Sequence, residues 1–326
     1  MYQFFAFVSG ILLSVMLSVN GGLSDQYGAF LAAVIIHVVG SLFALAFYVL
    51  QKEKKALFVH KPKWIYLGGA IGVLTTIFTN LAFGHISMTS IIALGLLGQT
   101  VTSIFIDMFG WFDMEKRPFQ KTSLFGLVFA VFGVLLMLDH TVAAGFAAVL
   151  ISFGSGITVV LSRTVNAYLA KKIGALNGSL VNHLVGLPIT VIVALAVTKG
   201  TIHLNVITEN DFRIWIYLGG VLGVAAVMLS NIIVPRIPAF QLTMLVFVGQ
   251  VFTGVFLDVM SGNDHSDASF LGGSVIAGGI AVNMIMERVN NIKERKCQEC
   301  ERVRRLNKMG EQKDKEDSHT VKNIKK

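Results

Sequence analysis

Charged residues are scarce in this sequence. Asp, Glu, Lys and Arg make up 14% of its 326 residues, whereas a soluble domain carries about 25%. Hydrophobic residues account for 54%, and the mean hydropathy is +0.69. This balance argues against a soluble globular protein.

Cysteine is nearly absent. Cys297 and Cys300 form a C-x-x-C pair in a charged tail, with no second pair and with His319 isolated. A zinc site needs four ligands, so we predict two reduced thiols in a cytosolic tail and no metal. No phosphate-binding loop and no nucleophile–base set stands out either. We therefore expect no cofactor and no enzymatic activity.

Long apolar runs are what the chain does contain. Runs of about 20 apolar residues cross a hydrocarbon core of about 30 Å. Ten such runs lie near 2–19, 28–50, 64–83, 86–109, 122–138, 142–162, 174–197, 214–234, 238–260 and 269–286. A membrane β-barrel would instead show alternating strands of about ten residues. The first run lacks the basic segment of a signal peptide. We therefore predict an all-α membrane protein with ten transmembrane helices.

The chain also repeats itself. WIYLGG occurs at Trp64–Gly69 and at Trp215–Gly220, and residues 64–110 align with 215–261 without a gap, with 16 of 47 positions identical. A second block aligns at an offset of 146 and pairs Ser9 with Ser155, Gly10 with Gly156, Asn20 with Asn166, Gly28 with Gly174, His37 with His183 and Gly40 with Gly186. We predict two five-helix repeats, residues 1–141 and 142–286, and a basic cytoplasmic tail, 287–326.

The distribution of charge predicts how the two repeats are oriented. Five is odd, so a second copy inserted after the first is upside down. Lys and Arg concentrate in the predicted loops 51–63, 110–121 and 163–173 and at Arg236, whereas loops 20–27, 84–85, 139–141 and 261–268 have none. The one basic loop on the second side, 198–213, balances Lys199 and Arg213 with Glu209 and Asp211. The positive-inside rule then places both termini in the cytoplasm. Trp64 and Trp215 are expected to be interfacial anchors on opposite faces of the membrane.

Two segments of the repeat resemble a known family. GQTVTSIFIDMFG at 98–110 and GQVFTGVFLDVMS at 249–261, each after a W-x-x-L-G-G helix, resemble the YdcZ-like branch of the bacterial drug/metabolite transporter (DMT) superfamily. The resemblance covers residues 1–286. It implies a carrier of small organic solutes in the cytoplasmic membrane and leaves the solute open.

Polar residues inside membrane helices tend to mark pathways. Gln99 and Gln250 lie at the midpoints of two predicted helices, and a carboxamide can orient a solute without a charge. His37 and His183 are the spanning residues whose ordinary pKa allows proton exchange near neutrality. We expect these four residues to line a substrate site. Interhelical hydrogen bonding explains each of them equally simply. We expect no Lys, Arg or Glu in the central part of any helix.

Asp107 and Asp258 lie eight residues beyond the glutamines, about 12 Å along each helix. That distance places both near the edge of the hydrocarbon core. Carboxylates at this depth suit gating or coupling, although solvated helix ends occupy the same depth.

An inverted repeat is typical of secondary transporters that work by alternating access. We therefore predict such a transporter of a small organic solute. Its further partners would be membrane lipid and protons, and two copies could form a homodimer. We expect no binding of nucleic acid. A membrane enzyme acting on a lipid-linked substrate and a channel stay open as alternatives. The tail from residue 287, with thirteen Lys/Arg and eight Asp/Glu, either lies on anionic lipid or is simply solvated.

Overall fold

The computed structural model describes residues 1–59, 62–82, 85–117, 121–139, 141–199, 213–260, 267–286, 288–290 and 292. Within these ranges the regular structure is helical and includes no β-strand, which confirms the all-α fold class. Residues Met1–Ile280 form one compact unit. The second unit, Ala281–Lys326, is described only near the end of the last helix.

The described helices follow the predicted apolar runs. They are α1 (Tyr2–Tyr27), α2 (Ala29–Leu50), α3 (Gly68–Ala82), α4 (Met88–Phe109), α5 (Lys121–Met137), α6 (Phe146–Ile173), α7 (Ala175–Val197), α8 (Gly219–Ile233), α9 (Ala239–Met260) and α10 (Asp267–Asn290). A single turn, Thr141–Ala144, precedes α6, and short 3-10 turns lead into α3 and α8. Among the described helices, eight are long and apolar enough to cross a membrane, and two apolar segments, Gly68–Ala82 and Leu124–Met137, are shorter.

One face of α5 shows how the outer surface suits lipid. Leu124, Val128, Phe132 and Leu135 follow one another at helical spacing and are 50–59% exposed. A contiguous apolar stripe of this kind is rare on a soluble monomer. In a bilayer the same stripe faces acyl chains at no cost.

Helices α1 and α6 are longer than the sequence predicts. The predicted loops 20–27 and 163–173 are wrong, because the helices continue to Tyr27 and Ile173. They end instead at Gly28 (φ 77°) and Gly174 (φ 100°), where only glycine adopts the backbone conformation freely. Inside the bundle, Nδ2 of Asn166 donates a hydrogen bond to Oδ1 of Asn182 at 2.7 Å.

Glycines mark the places where helices from the two repeats touch. A Cβ built on Gly10 of α1 would lie 2.2 Å from the Val246 carbonyl oxygen of α9, and one built on Gly156 of α6 would lie 2.0 Å from the Gly95 carbonyl oxygen of α4. Gly10 and Gly156 are equivalent in the repeat. The contact of α1 with α9 is therefore equivalent, by the repeat, to the contact of α6 with α4.

The apolar clusters at the helix ends come in the same kind of pair. Leu23, Tyr27, Ala32 and Ile216 form one, and Ile65, Leu169, Ile173 and Val181 form another. Leu23, Tyr27 and Ile216 of the first cluster are the repeat equivalents of Leu169, Ile173 and Ile65 of the second. Each repeat thus uses the turn before its WIYLGG helix to cover the long first helix of the other repeat.

The two WIYLGG tryptophans lie at opposite ends of the bundle. At the first end, Trp64 stacks on Tyr168 (ring centroids 5.2 Å apart) near the end of α6 and lies 5.7 Å from Phe112, just beyond α4. Trp215 lies 3.3 Å from a Cβ built on Gly22, near the end of α1. The start of α1 is at the first end, where the Tyr2 ring contacts Arg236 at 4.9 Å. About 30 Å of α1 separates Tyr2 from Gly22.

Several basic residues lie at the Trp64 end, whereas Arg213 directly precedes the Trp215 turn at the other end. Lys171 donates a hydrogen bond to the carbonyl oxygen of Asp113 at 2.6 Å, and the backbone N–H of Arg117 bonds to the Asp107 carbonyl oxygen at 2.7 Å. Arg236 lies at the same end. The predicted grouping of basic segments at one end of the helices therefore agrees with their contacts.

Candidate functional site

The two histidines meet where α2 crosses α7. Each helix carries H-x-x-G, and the imidazole rings lie 5.6 Å apart, tilted by 50°. A Cβ built on Gly40 would lie 2.3 Å from Cδ2 of His183, and one built on Gly186 would lie 2.5 Å from Nε2 of His37. Each ring therefore lies over the glycine of the other helix, and a larger residue at either glycine would displace the facing ring.

Hydrogen bonds orient both rings in the same way. Nδ1 of His37 lies 2.8 Å from the Ala33 carbonyl oxygen, and Nδ1 of His183 lies 2.9 Å from the Ser179 carbonyl oxygen. A carbonyl oxygen only accepts, so a neutral ring carries its hydrogen on Nδ1 and leaves Nε2 as an acceptor. His183 is buried, at 4% exposed, and His37 is half-buried. The pair thus presents two Nε2 atoms that can take a proton or a hydrogen bond.

The two glutamines lie on α4 and α9, beside close helix contacts. A Cβ built on Gly156 of α6 would lie 2.7 Å from the backbone nitrogen of Gln99, and one built on Gly10 of α1 would lie 3.0 Å from that of Gln250. Both side chains are half-buried. Among the described residues, neither carboxamide has a hydrogen-bond partner, which leaves both able to bind a polar group.

The structure therefore divides the four predicted residues into two sets. The histidines touch each other on α2 and α7, whereas the glutamines lie on α4 and α9, two helices that also contact each other. The neighbours of the histidine rings include Gly223 of α8, which would place a Cβ 3.4 Å from Nε2 of His183.

Asp107 joins the two repeats. Its Oδ1 accepts the backbone N–H of Ala239 at 2.7 Å, and its Oδ2 accepts that of Phe240 at 2.9 Å. These N–H groups begin α9 and have no partner within their own helix, and the positive end of the helix favours a carboxylate there. The repeat-related Asp258 lies in α9, and its side chain falls outside the described part of the chain.

Arg163 is a polar residue that the sequence reading missed. The expectation of no Lys or Arg in the central part of a helix is wrong, since Arg163 lies ten residues before the end of α6 and is half-buried. Its Nη2 donates to Oγ of Ser103 at 3.1 Å and to Oγ1 of Thr243, and lies 3.5 Å from the Ala239 carbonyl oxygen. The lack of any Gly or Pro between Arg163 and Gly174 is the signal that α6 continues through this arginine.

This arginine cluster does not follow the repeat. The positions equivalent to Arg163, Ser103 and Thr243 are Leu17, Gly254 and Ile92. A network of a guanidinium and two hydroxyls is therefore built where α4, α6 and α9 meet, and the corresponding place in the other repeat has apolar residues and glycine.

A metal centre finds no support in the geometry. Within the described ranges, no group of three or more His, Cys, Asp or Glu side chains is placed to hold a metal ion. Cys297 and Cys300 lie outside those ranges.

Comparison with known proteins connects this architecture to a family. The family described as "DMT_YdcZ: Putative inner membrane exporter, YdcZ" matches residues 1–136 and again residues 147–282. A solved crystal structure, described only as a protein, superposes with a TM-score of 0.62 at 15% identity and covers 87% of this chain and 97% of its own. At that identity it supports the fold alone. A search of curated protein sequences gave no match. The two family matches together span most of the chain, so it belongs to the DMT_YdcZ family of DMT-type inner membrane transporters.

Proposed function

We propose that the protein is a secondary-active exporter that moves a small organic solute across the inner membrane by alternating access. The observation that carries the proposal is the exchange of equivalent contacts between the halves. Gly40 lies against His183 as Gly186 lies against His37, and Gly10 packs on α9 as Gly156 packs on α4. Two similar units joined in this way can trade conformations, and such a trade turns an inward-open carrier into an outward-open one.

The inverted orientation of the repeats is part of the proposal. The family matches each half of the chain separately, and each half carries five apolar helices. Trp64 and Trp215 lie at opposite ends of the bundle, and several basic residues lie near Trp64. These features support a membrane arrangement with ten crossings, a cytoplasmic N-terminus and the Trp64 end facing the cytoplasm.

The proposed solute pathway runs between α4 and α9. Gln99 and Gln250 project from these helices near their middles, and the half-buried carboxamides have no hydrogen-bond partner among the described residues. A transported molecule with hydroxyl, amide or carboxyl groups offers the partners they lack. Asp107 would act as a gate, because it holds the start of α9 against the end of α4.

The histidine pair supports proton coupling. His37 belongs to one half and His183 to the other, so a proton on either ring changes the charge at the α2–α7 crossing. With both rings charged at 5.6 Å, the repulsion at an effective dielectric constant of about 20 is about 3 kcal/mol. A term of that size is enough to shift the balance between two helix arrangements. His37 and His183 would thus link proton binding to the movement of the halves.

Two steps test the function. A thermal-shift screen of the purified protein against a metabolite library identifies a solute, because a ligand of the folded state raises the unfolding temperature. Flux of that solute is then measured in proteoliposomes for the wild type and for variants at Gln99, Gln250, His37 and His183. Flux that survives all four substitutions removes the proposed pathway, and flux that ignores a pH gradient ends the proton coupling. Planar-bilayer currents far above carrier turnover would establish a channel instead.

A further inference from the structure

A cationic side chain lies inside the bundle where α4, α6 and α9 meet. Arg163 bonds through Nη2 to the hydroxyls of Ser103 and Thr243, and these hydroxyls bond to each other at 2.7 Å. Helices α4 and α6 belong to different repeats, as do α4 and α9. The cluster therefore lies at the interface that changes during alternating access.

The cluster is in line with the proposed solute pathway. Gln99, Ser103 and Asp107 are spaced four residues apart and therefore lie along one face of α4, each about 6 Å further along the helix. On α9, Thr243 and Gln250 are seven residues apart and share a face in the same way. Arg163 is thus one helical turn from the glutamine level, on the side where Asp107 closes α4 against α9.

Among the described residues, no carboxylate lies within 4.0 Å of the Arg163 guanidinium. Within the described ranges, the ion pairs shorter than 4.0 Å are Arg117–Glu115 and Lys171–Asp113. Asp107 is close enough to interact with Arg163 electrostatically, but both of its oxygens already accept backbone N–H groups of α9. The positive end of α9 offsets much of that negative charge. A cation held among membrane helices without an ion pair is an expected marker of a ligand pathway.

The unused donors of Arg163 suit one kind of ligand. Nε and Nη1 have no hydrogen-bond partner among the described residues, because the contacts with Ser103, Thr243 and Ala239 all involve Nη2. These two donors lie on different edges of the planar cation, and each can make a charge-assisted hydrogen bond to a carboxylate oxygen. We propose that Arg163, held in place by Ser103 and Thr243, binds a carboxylate of the transported solute, which makes this exporter a carrier of small organic anions.

The break in the repeat orients such a solute. The other half has Leu17, Gly254 and Ile92 at the equivalent positions, so it offers an apolar surface where the first offers a guanidinium. The carboxylate would point toward the Trp64 end and the apolar part of the solute toward the opposite end. This inference rests on the proposed function for the word "transported", whereas the binding of a carboxylate can be tested without flux.

The test is a thermal-shift comparison of matched ligand pairs. The purified full-length protein is heated with benzoate or benzamide, butyrate or butyramide, and nicotinate or nicotinamide, each at the same concentration, with sodium chloride as the control for ionic strength. At least one carboxylate is expected to raise the unfolding temperature more than its amide and more than chloride. A wild-type protein that prefers no carboxylate in the panel overturns the proposal.

Variants locate the effect. Arg163→Leu, which introduces the residue of the equivalent position, should abolish the carboxylate preference and weaken apparent binding about tenfold or more. Arg163→Lys, which keeps the charge but changes the number and direction of the N–H donors, should retain part of it. Arg117→Gln removes a half-buried arginine that pairs with the exposed Glu115 and should leave the preference unchanged. If Arg163→Leu fails to fold, Arg163→Gln takes its place. A preference that survives loss of the charge at position 163 overturns the assignment.

Flux separates this proposal from the proposed function. The protein could bind carboxylate through Arg163 and yet move no solute in proteoliposomes. That result would support the binding site and contradict the proposed transport. Flux of a neutral solute that is unchanged in Arg163→Leu would do the reverse.

Discussion

Replacing Gly156 with alanine should separate α4 from α6. The new Cβ would lie 2.0 Å from the Gly95 carbonyl oxygen and 2.7 Å from the Gln99 nitrogen. Both are backbone atoms, so neither can move out of the way by changing a rotamer. Ordinary contact begins at 3.4 Å, and the difference from 2.0 Å means that the helices must part by up to 1.4 Å.

The expected cost follows from that displacement. Adding a methyl group to a packed interface typically costs about 1–3 kcal/mol. If each kcal/mol lowers the unfolding temperature by about 2–4 °C, as in domains of 150–250 residues, the variant should melt roughly 2–12 °C below the wild type. Differential scanning fluorimetry of the purified protein in one fixed detergent measures the shift.

A matched control lies in the same interface. At Gly95 a Cβ would meet only Oγ of Ser155 at 3.6 Å and the Ser152 carbonyl oxygen at 3.8 Å, which are ordinary contacts. Gly95→Ala should therefore melt at or above the wild-type temperature, since alanine is the better helix former. The repeat-related Gly10→Ala should lose about as much as Gly156→Ala. Equal melting temperatures for Gly156→Ala and Gly95→Ala would refute the argument that backbone contact at Gly156 holds these helices together.

Three further predictions concern the ends of the bundle. Asp107→Asn should destabilise the protein by about 1 kcal/mol in thermal unfolding, because the start of α9 loses its carboxylate. The control Asp25→Asn, at an exposed position, should have no effect. Equal unfolding temperatures for the two variants would contradict the capping role of Asp107. Tyr217→Phe removes the hydroxyl bond between the end of α1 and the turn before α8, and should cost about 1 kcal/mol in the same assay. Cysteines introduced at Trp64 and Trp215, in a chain without its native cysteines, should react with an impermeant maleimide from opposite sides of the membrane; labelling of both from one side would rule out the inverted arrangement.

The histidine pair shows how far the repeat alone reaches. Alignment of the two blocks pairs His37 with His183 and Gly40 with Gly186, and from this the sequence singles out all four as equivalent positions. It cannot say that each histidine packs on the glycine of the other helix, because equivalence in sequence carries no information on which helices touch. The 5.6 Å separation of the rings results from the crossing of α2 and α7.

Arg163 and the ends of α1 and α6 show where judging each residue by itself gives the wrong answer. Polar residues such as Asn20 and Asn166 signal a loop when each position is judged by its own preference for water. Asn166 instead donates a hydrogen bond to Asn182 inside the bundle, and the two helices continue to Tyr27 and Ile173. The same reasoning assigned Arg163 to a loop outside the membrane, so its contacts with Ser103 and Thr243 were not predicted.

The sequence by itself determined the helical membrane class, the family and the internal repeat, because apolar run length and residue identity are properties of the chain read in order. The tertiary structure alone decided which helices touch and which polar groups meet. Those outcomes depend on close approach at glycines and on partners far apart in the chain, and a residue's own chemistry does not specify its partner.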